Sequence, residues 1–159
     1  MSPSGSADWR ELKGRHSTGE PPTLRHRLFQ LLRDLELPAS DFAVFGSGPL
    51  LAWGIIDAVN DLDVLCRGAA WERGKQLGRL AYLAEHDVSV VALHEGAITL
   101  GDRWAIGEFD IDQLIDTAEV IDALPFVRLE HVIAYKKVAG RPKDLEHLRL
   151  IEAHRSSAT

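Results

Sequence analysis

A buried-strand pattern, Asp41-Phe42-Ala43-Val44-Phe45, stops abruptly at Gly46-Ser47-Gly48, and Pro49-Leu50-Leu51-Ala52-Trp53 then reads as a short helix with proline in its first turn. A strand that turns through glycine straight into a helix commits the chain to layers of helix against sheet. The rest of the sequence agrees. Leu24, Leu28, Leu31, Leu32 and Leu35 recur at helical spacing, with Pro38 ending that pattern. Asp61 to Cys66 reads as a second strand, and Ala69 to Leu83 as a helix. Val88 to Leu93 and Ala97 to Leu100 read as two strands joined at His94-Glu95-Gly96. Asp110 to Ala118 has helical spacing, and Leu124-Pro125-Phe126-Val127 reads as an edge strand, where proline is tolerated. Two helices follow, one from Leu129 to Ala139 closed by Gly140, one opened by Pro142 and running to about Ala153. Strands interleaved with helices predict the α/β (α+β) class, with helices at the C-terminal end.

Residues 1–22 are rich in Ser, Gly, Pro and charge and are expected to form a flexible arm before a single domain over 23–155. A length of 159 residues suits one domain with its own core. No apolar run approaches the roughly 18–20 residues of a membrane span, and the first residues lack a signal-peptide core. With one cysteine, Cys66, there is no internal disulfide and no cysteine-based zinc cluster. The expectation is a cytoplasmic protein without membrane contact.

A net charge of −6 argues against general nucleic-acid binding. Its distribution is uneven: from Arg128 to Arg155 there are seven Lys/Arg against four Asp/Glu, whereas the residues before Arg128 hold eleven against twenty. A basic C-terminal stretch facing an acidic body could hold a polyphosphate bridged by metal to carboxylates; equally, lysine-rich helix surfaces are common.

Alternate strand residues point to one side, so Asp61 and Asp63 are expected to project together while Leu62 and Val64 enter the core. Two carboxylates so placed repel unless a cation or shared proton relieves them, and aspartate is a poor strand former. The pair thus suits a divalent metal, Mg²⁺ first and Mn²⁺ second, because Mg²⁺ takes one or two carboxylates together with phosphate oxygens. The bland alternative is a solvated strand end at an Asn60-Asp61 turn. Gly46-Ser47-Gly48 adds a turn whose backbone N–H groups can cradle phosphate, with Ser47 as a further donor.

On the helix from Leu129, Lys136 lies on the apolar face with Val132 and Ile133, so it either snorkels to the surface or reaches a specific anion. Lys137 points elsewhere. Trp53, Trp71 and Trp104 read as packing residues, Cys66 as a small core residue, and His94 as a minor candidate near its turn.

The order of these features resembles the nucleotidyltransferase superfamily, the fold shared by DNA polymerase β and the aminoglycoside and lincosamide nucleotidyltransferases. Its hallmark is a Gly-Gly or Gly-Ser turn, a short helix, and an Asp-apolar-Asp strand about a dozen residues on. Here thirteen residues separate Gly46-Ser47 from Asp61-Leu62-Asp63. The stretch VFGSGPLLAWGIIDAVNDLDVL looks similar to small bacterial members related to the AbiEii-type toxin–antitoxin group, and the likeness continues through IAYKKVAGRPKDLEHL. The resemblance implies a minimal nucleotidyltransferase fold, a small mixed sheet flanked by helices, and metal-dependent transfer of a nucleoside monophosphate from an NTP to a hydroxyl on RNA, protein or a small molecule. It places Asp61 and Asp63 as catalytic metal ligands, Gly46 and Ser47 at the phosphates, and Lys136 facing the triphosphate. Arg141, Lys143 and Asp144 complete a Lys-x4-Arg-x-Lys-Asp pattern, within which Asp144 and Arg141 could also organise the junction of the last two helices. Superfamily members usually carry a third carboxylate on a neighbouring strand; the comparable strand here holds Thr99, with Glu95, Asp102 and Glu108 close in sequence. Ala58 and Asn60 stand where relatives often carry Arg and Ser or Thr. The resemblance therefore also allows a catalytically impaired form that binds nucleotide or a cognate toxin or antitoxin.

Overall fold

The computed structural model describes residues 26–84, 87–103 and 109–157. The arm expected over 1–22 lies outside the described residues, as do Leu24, Trp104 and Glu108. The first helix among the described residues, α1 (Arg27–Asp34), buries Leu28, Phe29 and Leu32, and the His26 ring accepts the Leu28 N–H at its start. A 3-10 turn at Ala39–Asp41 leads into β1 (Phe42–Phe45), all four residues of which are buried. Helix α2 (Gly48–Ala52) follows the glycine turn at once, and β2 (Leu62–Cys66) carries Asp63.

The helix expected from Ala69 to Leu83 is instead two elements, α3 (Gly68–Leu77) and the strand β3 (Leu80–Leu83). Gly78 takes an extended conformation and ends the helix. A side chain has no room at this point: a Cβ at Gly78 would stand 2.7 Å from Leu93 and 2.9 Å from Val91. Leu80-Ala81-Tyr82-Leu83 then pairs antiparallel with β4 (Val88–Leu93). The two strands expected around His94-Glu95-Gly96 are present as β4 and β5 (Ile98–Gly101), paired antiparallel.

Helix α4 (Ile111–Asp116) is capped by the Asp110 carboxylate, which accepts the Gln113 N–H at 3.2 Å. Then comes a hairpin whose first strand, β6 (Glu119–Ile121), was not expected. It turns through Asp122 and Ala123, both at positive φ, into β7 (Leu124–Phe126). The edge position expected for the Leu124–Val127 strand is therefore taken by β6, and β7 lies inside the sheet next to β1. Proline is tolerated there because the bond to β1 is made by the Val127 N–H, which donates to the Val44 carbonyl at 2.9 Å. The last helices are α5 (Leu129–Ala139) and α6 (Pro142–Ser157), separated by Gly140 in the left-handed conformation.

Among the described residues seven strands form one mixed sheet in the order β3-β4-β5-β2-β1-β7-β6, so the fold is mixed α/β, of the expected class. Register fixes which residues share a face. Val44 pairs with Val64 and with Phe126, Val64 with Leu100, and Leu100 with Val91. That face is covered by α1, whose Phe29 ring packs edge-on to Phe126 at 5.4 Å, and by α3, whose Gly74 backbone leaves no space above Leu100. The opposite face carries the row Phe45, Asp63, Thr99 and Ala92. Tyr135 of α5 packs on Phe45 at 4.8 Å between ring centroids. Burial falls along this row from Phe45, fully buried, through half-buried Asp63 and Thr99 to exposed Ala92. Asp63 thus stands where the core ends. Among the described residues no helix is long and apolar enough to cross a membrane.

Candidate functional site

The site is assembled at one end of β1 and β2. Gly46 sits at the end of β1 with φ +64°, and a Cβ there would lie 2.9 Å from Asp63 Oδ2. Only glycine gives both the left-handed backbone and the room for this approach. The turn expected to hold phosphate and the strand expected to hold metal therefore touch. Gly48 fixes the next step, since a Cβ there would stand 2.4 Å from Val44 Cγ1; α2 lies directly on the β1–β2 core.

Asp61 comes just before β2 and is exposed. Its charge acts on Asp63. Burial first, and then Asp61, push the Asp63 carboxyl up to about 6; Lys143, Arg141 and Lys136 pull in the other direction. These three cations come from the α5–α6 corner, so the basic C-terminal stretch does face the carboxylates.

Lys136 is only 1% exposed. Its ammonium donates to Asp144 Oδ1 at 3.3 Å and to Ser47 Oγ at 3.0 Å. Of the two sequence readings, surface snorkelling is ruled out: Lys136 is a buried tie between α5, α6 and the glycine turn. Burial pulls its ammonium below the usual lysine value, against the attraction of Asp144. Asp144 is fully buried and organises the helix junction. It accepts the Arg141 backbone N–H at 3.2 Å and Arg141 Nε at 2.6 Å. Burial alone would raise the Asp144 carboxyl, but Arg141 and Lys136 outweigh it and hold the group below its ordinary value. Arg141 also reaches the Tyr135 hydroxyl at 3.5 Å. Lys143 is exposed, so its charge reaches Asp63 from the open side.

Ser47 precedes α2, yet its hydroxyl makes no capping bond to that helix. It sits between Lys136 and the ring of His147, whose Nδ1 is 3.3 Å away. His147 was missed in the sequence, although its position three residues after Asp144 places both on one side of a helix. Burial, then the charge of Lys136, lower its pKa.

Thr99 is the register partner of Asp63 on the parallel strand β5, so the strand considered for a third carboxylate adjoins β2 and carries a hydroxyl at that position. Glu95 lies exposed in the β4–β5 turn, and Asp102 lies past the far end of β5, where its charge acts on Cys66. Among the described residues no three His, Cys, Asp or Glu side chains gather closely enough to hold one ion. Ala58 and Asn60 are exposed. His94 is exposed in its turn, Trp53 and Trp71 pack against the core, and burial pushes the Cys66 thiol up to about 12, leaving it inert.

The donor set suits Mg²⁺ in one specific form. A pair of carboxylates, one of them made harder to ionise by burial and by its neighbour, is relieved by a cation. Two protein oxygens leave the remaining positions to water and to phosphate. No family model matches the chain, and neither does any curated protein or solved structure.

Proposed function

We propose that this chain is a metal-dependent nucleotidyltransferase that moves a nucleoside monophosphate from an NTP to a hydroxyl acceptor. The observation that carries this reading is the contact between Gly46 and Asp63, with Ser47 tied to Lys136 beside it. Three segments distant in sequence converge there, and each suits a different part of a metal–triphosphate complex. Asp61 and Asp63 would hold Mg²⁺, or Mn²⁺ in its place. When bound, the ion supplies charge neutralisation and Lewis-acid polarisation of phosphate oxygens. The chain's own residues do the rest. The glycine turn admits the phosphates close to the backbone, Lys143 and Arg141 add positive charge on the open side, and Lys136 keeps Ser47 in place. Fixed charges and alignment of this kind supply most of the rate in such transfers.

A second reading is favoured by Thr99. With a hydroxyl where a third carboxylate would assist an acceptor, the chain would bind nucleotide or a partner, such as a cognate toxin or antitoxin, without turnover. The acceptor hydroxyl, whether on RNA, a protein or a small molecule, is left open under the first reading.

Thermal melting with each of the four NTPs, with and without Mg²⁺, tests whether the site exists. A Mg²⁺-dependent rise in melting temperature with at least one NTP supports it. Unchanged melting with all four would sink both readings as far as nucleotide is concerned.

A further inference from the structure

The Ser47 hydroxyl lies between a donor and a ring nitrogen whose role its tautomer sets. An ammonium has only donors, so Lys136 at 3.0 Å donates to Ser47 Oγ. On the other side His147 Nδ1 lies 3.3 Å away. The groups around this ring are Lys136 from α5, and Asp144, Lys143 and Glu146 from α6. Burial leads, followed by Lys136, and the sum lowers the ring's pKa below its ordinary value, which favours the neutral ring. Of the two tautomers of a neutral ring, the one protonated at Nε2 accepts the Ser47 proton at Nδ1, and it is the tautomer that the step proposed below requires. The result is a serine in contact with a base while a buried cation polarises its oxygen. That is the arrangement that turns a weak hydroxyl into a nucleophile. A serine serving only as a phosphate ligand would need its proton free for the phosphate, and holding phosphate requires no base beside it.

We propose that Ser47 is itself an acceptor, and that the chain nucleotidylates its own glycine turn with His147 as the base. This rests on the reading of the turn as an NTP site. In the step, a bond forms between Ser47 Oγ and the α-phosphorus. The bond from that phosphorus to its bridging oxygen breaks, and pyrophosphate leaves with the electron pair. The hydroxyl proton passes to His147 Nδ1 and from there to solvent. Lys136 steadies the charge that grows on the serine oxygen. Ser47 is half-buried rather than sealed, and Gly46 beside it has no side chain to block an incoming phosphate. Once modified, the turn is occupied by its own product, so each chain reacts once and the site closes to further nucleotide.

The test is intact-mass measurement and peptide mapping of the full chain after incubation with Mg²⁺ and each NTP. Wild type, Ser47→Ala and His147→Gln are compared, with a thermal melt of each. The expected result is one added nucleoside monophosphate on the peptide holding Ser47, and none in Ser47→Ala. In His147→Gln the rate falls by at least ~100-fold, the low end of a base's contribution, while its Mg²⁺-dependent nucleotide shift persists. Mapping in wild type does not depend on how well Ser47→Ala folds. The inference is overturned if wild type shows the nucleotide shift but gains no mass, if the adduct maps elsewhere or is a phosphoryl group, or if His147→Gln reacts at the wild-type rate. A wild type with no nucleotide shift at all defeats the NTP reading first, and the two failures are told apart by the melts.

Discussion

Gly46 and Asp63 meet where β1 ends and β2 begins, with 2.9 Å between the carboxylate oxygen and the place a Cβ on Gly46 would occupy. Gly46→Ala therefore faces two penalties, a left-handed backbone at φ +64° and a methyl against a half-buried carboxylate. The expected loss is about 1–3 kcal/mol in a urea melt. Any nucleotide-dependent stabilisation should vanish with it. A neutral outcome would mean that the turn and β2 are not in contact.

Asp63 sets a pH dependence of stability. Its folded pKa, about 6, lies above the unfolded value of 3.8. A group raised in this way adds stability that is fully present below the unfolded value and is lost as pH rises through the folded one. Without divalent metal the chain should therefore weaken between about pH 4 and pH 7 through this group. Asp63→Asn should remove that slope and be more stable than wild type at pH 8, by ~1–2 kcal/mol after allowance for partial exposure. At pH 4 the two should melt together. Urea melts at the two pH values check this, and added Mg²⁺ should narrow the gap at pH 8 by stabilising wild type alone.

Lys136 and Asp144 form a buried pair, 1% and 0% exposed. Replacing Lys136 by Met leaves Asp144 with Arg141 as its remaining cation, so the expected cost is about 3 kcal/mol, the low end for breaking a buried pair. Asp144 has a depressed pKa, and its stabilisation is present above the unfolded carboxyl value and lost as pH falls through the folded one. Acid unfolding of wild type should show that limb below the ordinary carboxylate range, and Asp144→Asn should lack it.

Thr99 offers a gain-of-function test. Thr99→Asp puts a carboxylate in register beside Asp63 on the parallel strand. Repulsion should destabilise the variant at pH 8 without metal. Added Mg²⁺ should then raise its melting temperature by more than it raises that of wild type. Equal Mg²⁺ responses would show that position 99 does not face the ion.

The glycine turn, the carboxylate strand and the α5–Gly140–α6 corner were legible because each has a local cause. Gly46-Ser47-Gly48 interrupts an apolar strand, Asp63 alternates with buried Leu62 and Val64, and Gly140 ends a helix at a left-handed residue. What stayed hidden depends on neighbours far along the chain. Leu80-Ala81-Tyr82-Leu83 has no alternation to announce a strand, and all four residues are exposed; pairing with β4 makes it one. The three residues of β6 are too few to carry a period, and they displace β7 from the edge. At the site, helix-face spacing correctly brought Lys136 inward. It could not show that Asp144, eight residues on, and Ser47, 89 residues back, would be its partners. His147 carries no sequence signal beyond sharing a helix side with Asp144, and its contact with Ser47 exists only in the folded chain.

The most direct measurement is calorimetric titration of an NTP into wild type and into Asp61→Ala/Asp63→Ala at pH 8, where Asp63 is ionised, with Mg²⁺ and again with the metal chelated. Convergence of turn, carboxylates and lysine on one metal–triphosphate site predicts saturable binding in wild type. It also predicts affinity at least ~tenfold lower in the double variant or without metal, a loss of about 1.4 kcal/mol. Equal binding by wild type and the double variant, or no binding of any NTP by wild type, would contradict it.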